Sequence, residues 1–242
     1  MQNLGELHSM SYNLKIMRKH AIDRSCGQLR DINIEYFASD QLLYITQSTS
    51  QLRSLCLVCC YYIMDKKLSE LAAKLPLLEE LDMTISSLSE EPLKALKAFG
   101  HYCPHLKSLK WNQLWDGQPH IRIEGDEEFD DDDEALAIAK NMPELRHLQL
   151  NGNRVTNDGL QAIPDGCPHL ASLDLRKCFN VTLSGNLGKR CVERIKNLRH
   201  PNDSTCDYGI MAEISDYGPF DEDNFFFFLR GDEEDLGDFY FD

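Results

Sequence analysis

Large aliphatic residues recur along the chain in the order L-x-x-L-x-L, with mostly polar residues between them. Two examples are ELRHLQLNGN at residues 144–153 and HLASLDLRKC at residues 169–178. Six such units occur, and their first positions lie 23, 26, 28, 39 and 25 residues apart. This regular period indicates repeated structural units that bury their apolar sides by stacking. The units begin at Leu29, Leu52, Leu78, Leu106, Leu145 and Leu170.

Each unit has the alternation of a short β-strand. Side chains at its fourth and sixth positions point to one face of a strand, and those at the third, fifth and seventh point to the other. Stacked units therefore predict a parallel sheet with an aliphatic core on one face. The ninth position (Cys60, Asn153 or Cys178) follows the strand, where a small side chain can be buried in the turn.

Amphipathic segments between the units predict a helix in most repeats. Ser89 and Thr156 are candidate N-caps, and residues 164–166 are expected to end the helix that Thr156 begins. In the first helix Leu14, Met17 and Ala21 are expected to face inward, with Ile22 as a further candidate. The predicted helices cover residues 12–24, 65–75, about 90–100, 134–141, 157–163 and 185–198.

These elements predict an α/β solenoid of the leucine-rich-repeat type. We expect a right-handed superhelix of six to seven repeats over residues 1–200, with parallel strands on its concave face and helices on its convex face. The 39-residue spacing is interpreted as a repeat with an acidic, solvated loop inserted at residues 121–134. Residues 201–242 mix acidic and aromatic side chains without a period, which predicts a disordered tail.

Charge is concentrated in two acidic segments. Of the net charge of −15, residues 124–134 contribute −9 and residues 207–242 contribute −11, which leaves the remainder at +5. We therefore expect no nucleic-acid partner. Residues 185–198 are basic and are interpreted as a solvated cap on the last repeat, with a basic docking surface as the alternative.

The sequence shows no targeting or membrane signal. It has no run of about 18 apolar residues that would indicate a membrane span. The N-terminus has no signal-peptide pattern. We expect the protein in the cytoplasm, the nucleus or both, with no membrane partner.

Cysteine and histidine recur at fixed phases of the repeat. Cys-Pro-His-Leu occurs at residues 103–106 and again at 167–170, where the proline ends a helix and the leucine opens the next unit. A lone CxxC at residues 56–59 has no second pair to complete a zinc site. The sequence has no glycine-rich phosphate loop, G-x-S-x-G or H-E-x-x-H. We expect no metal, no cofactor and no enzymatic activity.

The ordered set of motifs resembles the plant F-box/leucine-rich-repeat proteins, whose repeats contain cysteine. The resemblance rests on the Cys-Pro-x-Leu junctions, the Asn or Cys turn, and residues 14–45 followed by QLRSLCLVCC and LPLLEELDM. It covers residues 3–200. The resemblance implies a substrate-recognition subunit of an SCF-type ubiquitin ligase that directs targets to proteasomal degradation. The implied partners are a protein substrate, a Skp-type adaptor and a cullin.

In that family an F-box precedes the repeats and binds the adaptor. The residues before Leu14 are too few for the three helices of an F-box, so we expect this polypeptide to carry the target-binding half only. That expectation puts adaptor binding in question. The alternative is a leucine-rich-repeat scaffold or F-box-less inhibitor that binds a partner without ligase function.

Strand parity predicts where a protein target binds. The third, fifth and seventh side chains of each unit are expected on the concave face, where exposed aromatic residues and arginines are the favoured contacts. The alternative for any one of them is a merely solvated side chain. Charge reversal at Asp174 and Arg176 is expected to weaken binding without lowering thermal stability. The candidate partner-binding residues are Lys110, Asn112, Trp115, His147, Gln149, Asn151, Asp174 and Arg176.

Overall fold

The computed structural model describes residues 20–35, 50–58, 65–84, 92–113 and 131–208. The chain divides into one compact unit of residues 14–204 and a second of residues 1–13 with 205–242, of which only 205–208 are described. In the first unit, seven strands form one parallel sheet in sequence order. The strands are β1 Asp31–Glu35, β2 Ser54–Val58, β3 Glu80–Thr84, β4 Ser108–Asn112, β5 His147–Gln149, β6 Ser172–Asp174 and β7 Asn197–Arg199.

A helix lies between each two consecutive strands from β2 to β7, as the repeat predicts. Residues 20–24 are also helical. The alternation of parallel strands and helices confirms the α/β solenoid. The described helices are α1 Asp65–Ala72, α2 Pro92–Tyr102, α3 Asp133–Asn141, α4 Asn157–Gly166 and α5 Gly185–Arg194.

The core follows the leucine pattern. Strand pairing aligns equivalent positions of successive repeats, so that Leu55 lies opposite Leu81 and Leu81 opposite Leu109. These three side chains are at most 1% exposed. Helices contribute Leu68 and Phe99, both fully buried, from the other side. Each such side chain stabilises the fold by about 1.5–3 kcal/mol.

The two Cys-Pro-His-Leu junctions are structural. Cys103 donates its thiol hydrogen to the carbonyl of Leu75 at 3.4 Å, and Cys167 makes the equivalent contact with Met142 at 3.4 Å. Burial raises the pKa of Cys103 to about 12 and that of Cys167 to about 11. Both thiols therefore stay protonated and link one repeat to the preceding one.

The last predicted helix is shorter than expected. It ends at Arg194, and Asn197–Arg199 forms β7 beside β6 instead of a further helical turn. Ile195 and Leu198 are three residues apart, which fits a helix but also the first and fourth positions of another repeat unit. Ile195 is 3% exposed and Leu198 packs against the core, so these residues are the first and fourth positions of a seventh repeat unit. The chain thus reaches the upper end of the predicted repeat number.

Of the residues expected to face inward from the first helix, Ala21 is exposed, Ile22 is buried, and Leu14 and Met17 lie outside the described residues. Helix α4 continues through Pro164 and ends at Gly166, within the segment 164–166 that was expected to end it. The Thr156 cap is confirmed, since its hydroxyl accepts a hydrogen bond from the Asp158 amide at 3.1 Å. Ser89 lies outside the described residues.

The last residues of the acidic segment are not solvated as expected. Asp132 is 8% exposed, and its carboxylate accepts hydrogen bonds from the amide and the hydroxyl of Thr156, each at 2.7 Å. Gly159 permits this approach, because a Cβ there would lie 2.4 Å from an oxygen of Asp132. Residues 121–130 of the predicted loop lie outside the described residues.

Glu134 ties the same segment to the sheet. Its carboxylate accepts hydrogen bonds from Trp111 at 3.0 Å, Gln113 at 2.9 Å and Asn153 at 2.6 Å. Burial raises the pKa of Glu134, although the three donors act in the opposite direction. Asn153, at the ninth position, therefore makes two hydrogen bonds. Its side-chain nitrogen donates to the Glu134 carboxylate, and its side-chain oxygen accepts from the backbone amide of Val155.

None of the helices in the described ranges is long and apolar enough to cross a lipid bilayer.

Candidate protein-binding surface

The sheet face opposite the core is polar, and we call it the open face. It consists of the third and fifth side chains of each unit, which the strand register places in two rows. Alternation turns these side chains away from the buried leucines. Asp31, Asn33, Glu80, Lys110 and His147 are exposed; Ser54, Cys56, Asp82, Ser108, Gln149 and Ser172 are half-buried.

Lys110 forms the clearest ion pair of the open face. Its ammonium lies 2.8 Å from a carboxylate oxygen of Asp82 on the neighbouring strand. Burial lowers the pKa of Lys110, but attraction to Asp82 and weaker attraction to Cys56 and Glu80 outweigh it, so the pKa lies above its ordinary value. Lys110 therefore stays charged at neutral pH. Any partner that binds Lys110 has to compete with Asp82.

The seventh-position side chains are buried, which contradicts their expected exposure. Asn112 is 4% and Asn151 0% exposed. Asn112 donates to the hydroxyl of Thr84 at 2.8 Å, and its oxygen accepts from the Asn151 amide at 3.0 Å. Asn112 is the last residue of β4, and Asn151 lies in the turn just after β5 ends, so both side chains lie where the chain leaves the sheet. These residues hold adjacent turns together.

Asp174 and Arg176 are also buried, at 9% and 3% exposure. The guanidinium donates to the Asp174 carboxylate at 2.7–3.1 Å from Nη2 and Nε, and the Arg176 amide donates to the same carboxylate at 3.1 Å. A further guanidinium nitrogen donates to the carbonyl of Ser204 at 2.6 Å. Through the hydrogen bond to Ser204, this pair joins the turn after β6 to the segment after β7. The expectation that charge reversal here spares thermal stability therefore has no support from the geometry.

The structure thus separates the predicted site residues into groups. Lys110, His147 and Gln149 lie on the open face within reach of a partner. Asn112, Asn151, Asp174 and Arg176 present almost no surface. Trp115 lies outside the described residues. Partner binding by any of these residues stays a prediction.

Sequence reasoning missed a row of mostly charged side chains at the second position of each unit, in which Ala171 is the uncharged member. The strands begin at the third position, so the second residue lies at the edge where the strands start. Backbone hydrogen bonds of 2.7–2.8 Å join consecutive members from Arg30 to Ala171. A charged residue directly after the first leucine was the available signal. We call this the entry row, and it contains Arg30, Arg53, Glu79, Lys107, Arg146, Ala171 and Lys196.

Glu79 is the acid of the entry row and is held by its two neighbours. Lys107 donates to its carboxylate at 2.7 Å, and Arg53 donates to the other oxygen. The hydrogen bonds from Lys107 and then Arg53 hold the pKa of Glu79 below its ordinary value. Glu79 is therefore ionised at neutral pH, and its charge is matched locally.

Comparisons with known proteins agree with the fold. Residues 141–163 match the family described as Leucine Rich repeat. The chain is 48% identical to F-box protein SKIP19 of Arabidopsis thaliana over 91% of this chain and 68% of that protein. It is 41% identical to Putative F-box/LRR-repeat protein 22 over 97% of this chain and 70% of the relative. To Putative F-box/LRR-repeat protein 23 it is 48% identical over 84% of this chain, but it spans only 43% of that relative. Both of the latter are also from Arabidopsis thaliana.

Proposed function

This chain belongs to the plant F-box/leucine-rich-repeat family, and we propose that it recognises protein targets for an SCF-type ubiquitin ligase. The observation that carries the proposal is the 48% identity with an F-box protein over 91% of the chain. In such a ligase the repeats select the target, and an adaptor and a cullin bring the ubiquitin-transfer machinery to it. The proposed role needs binding and orientation from this chain, and no catalytic group.

The open face supports a binding role. The leucines of each strand face the core, so exposed residues at the third and fifth positions, such as His147, can differ between units without disturbing the core. The exposed Lys110 and His147 and the half-buried Gln149 supply a cation, an imidazole and an amide on two adjacent strands. A row of polar side chains across a parallel sheet is the kind of surface that solenoid proteins use for extended contacts. We place the protein in the cytoplasm or nucleus, where such ligases act.

The proposal is tested by purifying the epitope-tagged chain from plant cells treated with a proteasome inhibitor. Immunoblotting should detect a Skp-type adaptor, a cullin and ubiquitin-conjugated proteins in the same complex. Absence of the adaptor and cullin from a complex that contains bound protein would reject the ligase role and favour a scaffold or inhibitor.

A matched pair of variants locates the binding surface. His147→Glu with Gln149→Glu changes the open face, whereas His101→Glu with Gln161→Glu makes the same chemical changes on exposed positions of α2 and α4. The open-face variant should lose the ubiquitin-conjugated proteins and keep the adaptor. The helix variant should retain both.

A further inference from the structure

The open face and the entry row divide into halves of opposite charge. Across β1–β3, the second, third and fifth positions hold four carboxylates against two guanidiniums. Across β5–β7, the same positions hold three cations, one histidine and one carboxylate. The carboxylates of the first half are Asp31, Glu79, Glu80 and Asp82, and the cations of the second are Arg146, Lys196 and Arg199.

Strand β4 marks the boundary between the two halves. Lys107, directly before β4, contacts Glu79, directly before β3, at 2.7 Å, and Lys110 on β4 contacts Asp82 on β3 at 2.8 Å. These two lysines therefore neutralise part of the acidic half. The uncompensated positive charge begins at β5.

In the basic half, short side chains lie between longer exposed ones, and we call this surface the basic trough. Ala171, directly before β6, and Ser172 on β6 are short and half-buried. The distance from β5 to β7 is two strand spacings, about 10 Å, and the neighbouring units carry the exposed Arg146, His147, Lys196 and Arg199. Such a width accommodates one extended polypeptide segment. The trough consists of Arg146, His147, Ala171, Ser172, Lys196 and Arg199.

The carboxylates near the trough leave its main cations available. Asp174 is held by the guanidinium of Arg176 at 2.7 Å. The pKa of Asp203 is lowered mainly by a hydrogen bond from the backbone amide of His200, and attraction to Arg199 adds to this. The charge of Arg199 is therefore partly neutralised by Asp203. Within the described part of the chain, Arg146 and Lys196 have no ion-pair partner, and both are exposed. These two residues dominate the potential of the trough.

We propose that the basic trough binds an extended acidic segment of the protein target. The inference rests on the proposed function and gives the chemical class of its substrate. Carboxylates of such a segment would pair with Arg146 on one side and Lys196 on the other, and His147 and Ser172 would donate hydrogen bonds. The acidic half of the open face would repel the same segment, which fixes the part of the sheet it occupies.

A protein segment fits better than a nucleic acid. The trough presents three cations over about 10 Å, whereas nucleic-acid affinity grows with the number of phosphates neutralised. Asp31 and Glu80 on the same sheet and the net charge of −15 oppose a long polyanion.

The test measures binding of fluorescent peptides to the full chain by anisotropy. One peptide alternates aspartate with serine over twelve residues, and the matched peptide has asparagine in place of aspartate. The wild-type chain should bind the acidic peptide, with affinity falling as NaCl rises from about 50 to about 500 mM. Arg146→Glu with Lys196→Glu should weaken binding at least about tenfold. Lys97→Glu with Lys140→Glu, which makes the same change in charge on exposed positions of α2 and α3, should leave it unchanged.

Failure of the acidic peptide to bind, equal binding of the asparagine peptide, or equal losses in both double variants would overturn the inference. Tighter binding of a twelve-base DNA strand than of the peptide would also overturn it, in favour of a nucleic acid. Arg146→Gln with Lys196→Gln serves as the second variant if the reversal does not fold. A chain that co-purifies with adaptor and ubiquitin-conjugated protein but ignores the acidic peptide refutes this inference alone. Peptide binding without the adaptor refutes the ligase role alone.

Discussion

Replacement of Arg176 by methionine should destabilise the fold strongly, because Arg176 holds a buried carboxylate. The two side chains are 4% and 12% exposed and 2.7 Å apart. Removing one partner of a buried ion pair costs about 3–5 kcal/mol, and the lost hydrogen bond to the carbonyl of Ser204 adds about 1 kcal/mol. A loss of this size is a large part of the stability of a typical domain.

The cost is measured by urea unfolding followed by circular dichroism. Asp174→Asn with Arg176→Met should regain about 1–3 kcal/mol relative to Arg176→Met alone, because the buried charge is then removed as well. The control is Lys110→Met, which breaks a pair whose lysine is 47% exposed and should cost less than about 1 kcal/mol. The reasoning is refuted if Arg176→Met unfolds within about 0.5 kcal/mol of the wild type.

Three further predictions concern the core and its buried groups. Burial raises the pKa of Glu134 above 4.5, so its contribution to stability is present at low pH and is lost as the pH rises through the folded-state value. The unfolding free energy of the wild type should therefore fall relative to that of Glu134→Gln as the pH increases above 4.5. A difference between the two that does not change with pH would contradict this. Site-resolved mass spectrometry should show that iodoacetamide modifies the exposed Cys26 long before Cys103, whose pKa is about 12; equal rates would show that the junction opens freely. Gly166→Ala should cost about 1–3 kcal/mol in thermal unfolding, because the added Cβ would lie 2.0 Å from the carbonyl oxygen of Ala139, and an unchanged melting temperature would refute the close packing of α3 on α4.

The leucine pattern predicts the fold because equivalent leucine positions are buried in each unit. Leu148 and Leu173 are buried at the same phase, and one alignment of the chain on itself identifies both. The seventh position was misjudged because it lies at or just beyond the end of its strand, where alternation no longer decides which side a residue faces. Asn112 is the last residue of β4 and Asn151 follows the end of β5, and both side chains are buried.

Contacts between distant residues could not be predicted from the period. Glu134 reaches Trp111 and Gln113 across the inserted segment, and no spacing in the sequence relates an acidic loop to those donors. The entry row was hidden for a different reason. Arg146 stands one residue before its strand, where alternation assigns it to neither face, and only the backbone ladder shows that it lies beside Lys107.

The central claim is that the open face presents protein targets to a ubiquitin ligase. Site-specific photocrosslinking tests it most directly, with a photoreactive residue in place of His147 on the open face or of His101 on α2, both exposed positions. Crosslinked adducts are recovered from plant cells under proteasome inhibition and probed for ubiquitin. The account predicts ubiquitin-conjugated adducts from position 147 and none from position 101. Adducts from position 101 alone, or adducts at position 147 that never carry ubiquitin, would contradict it.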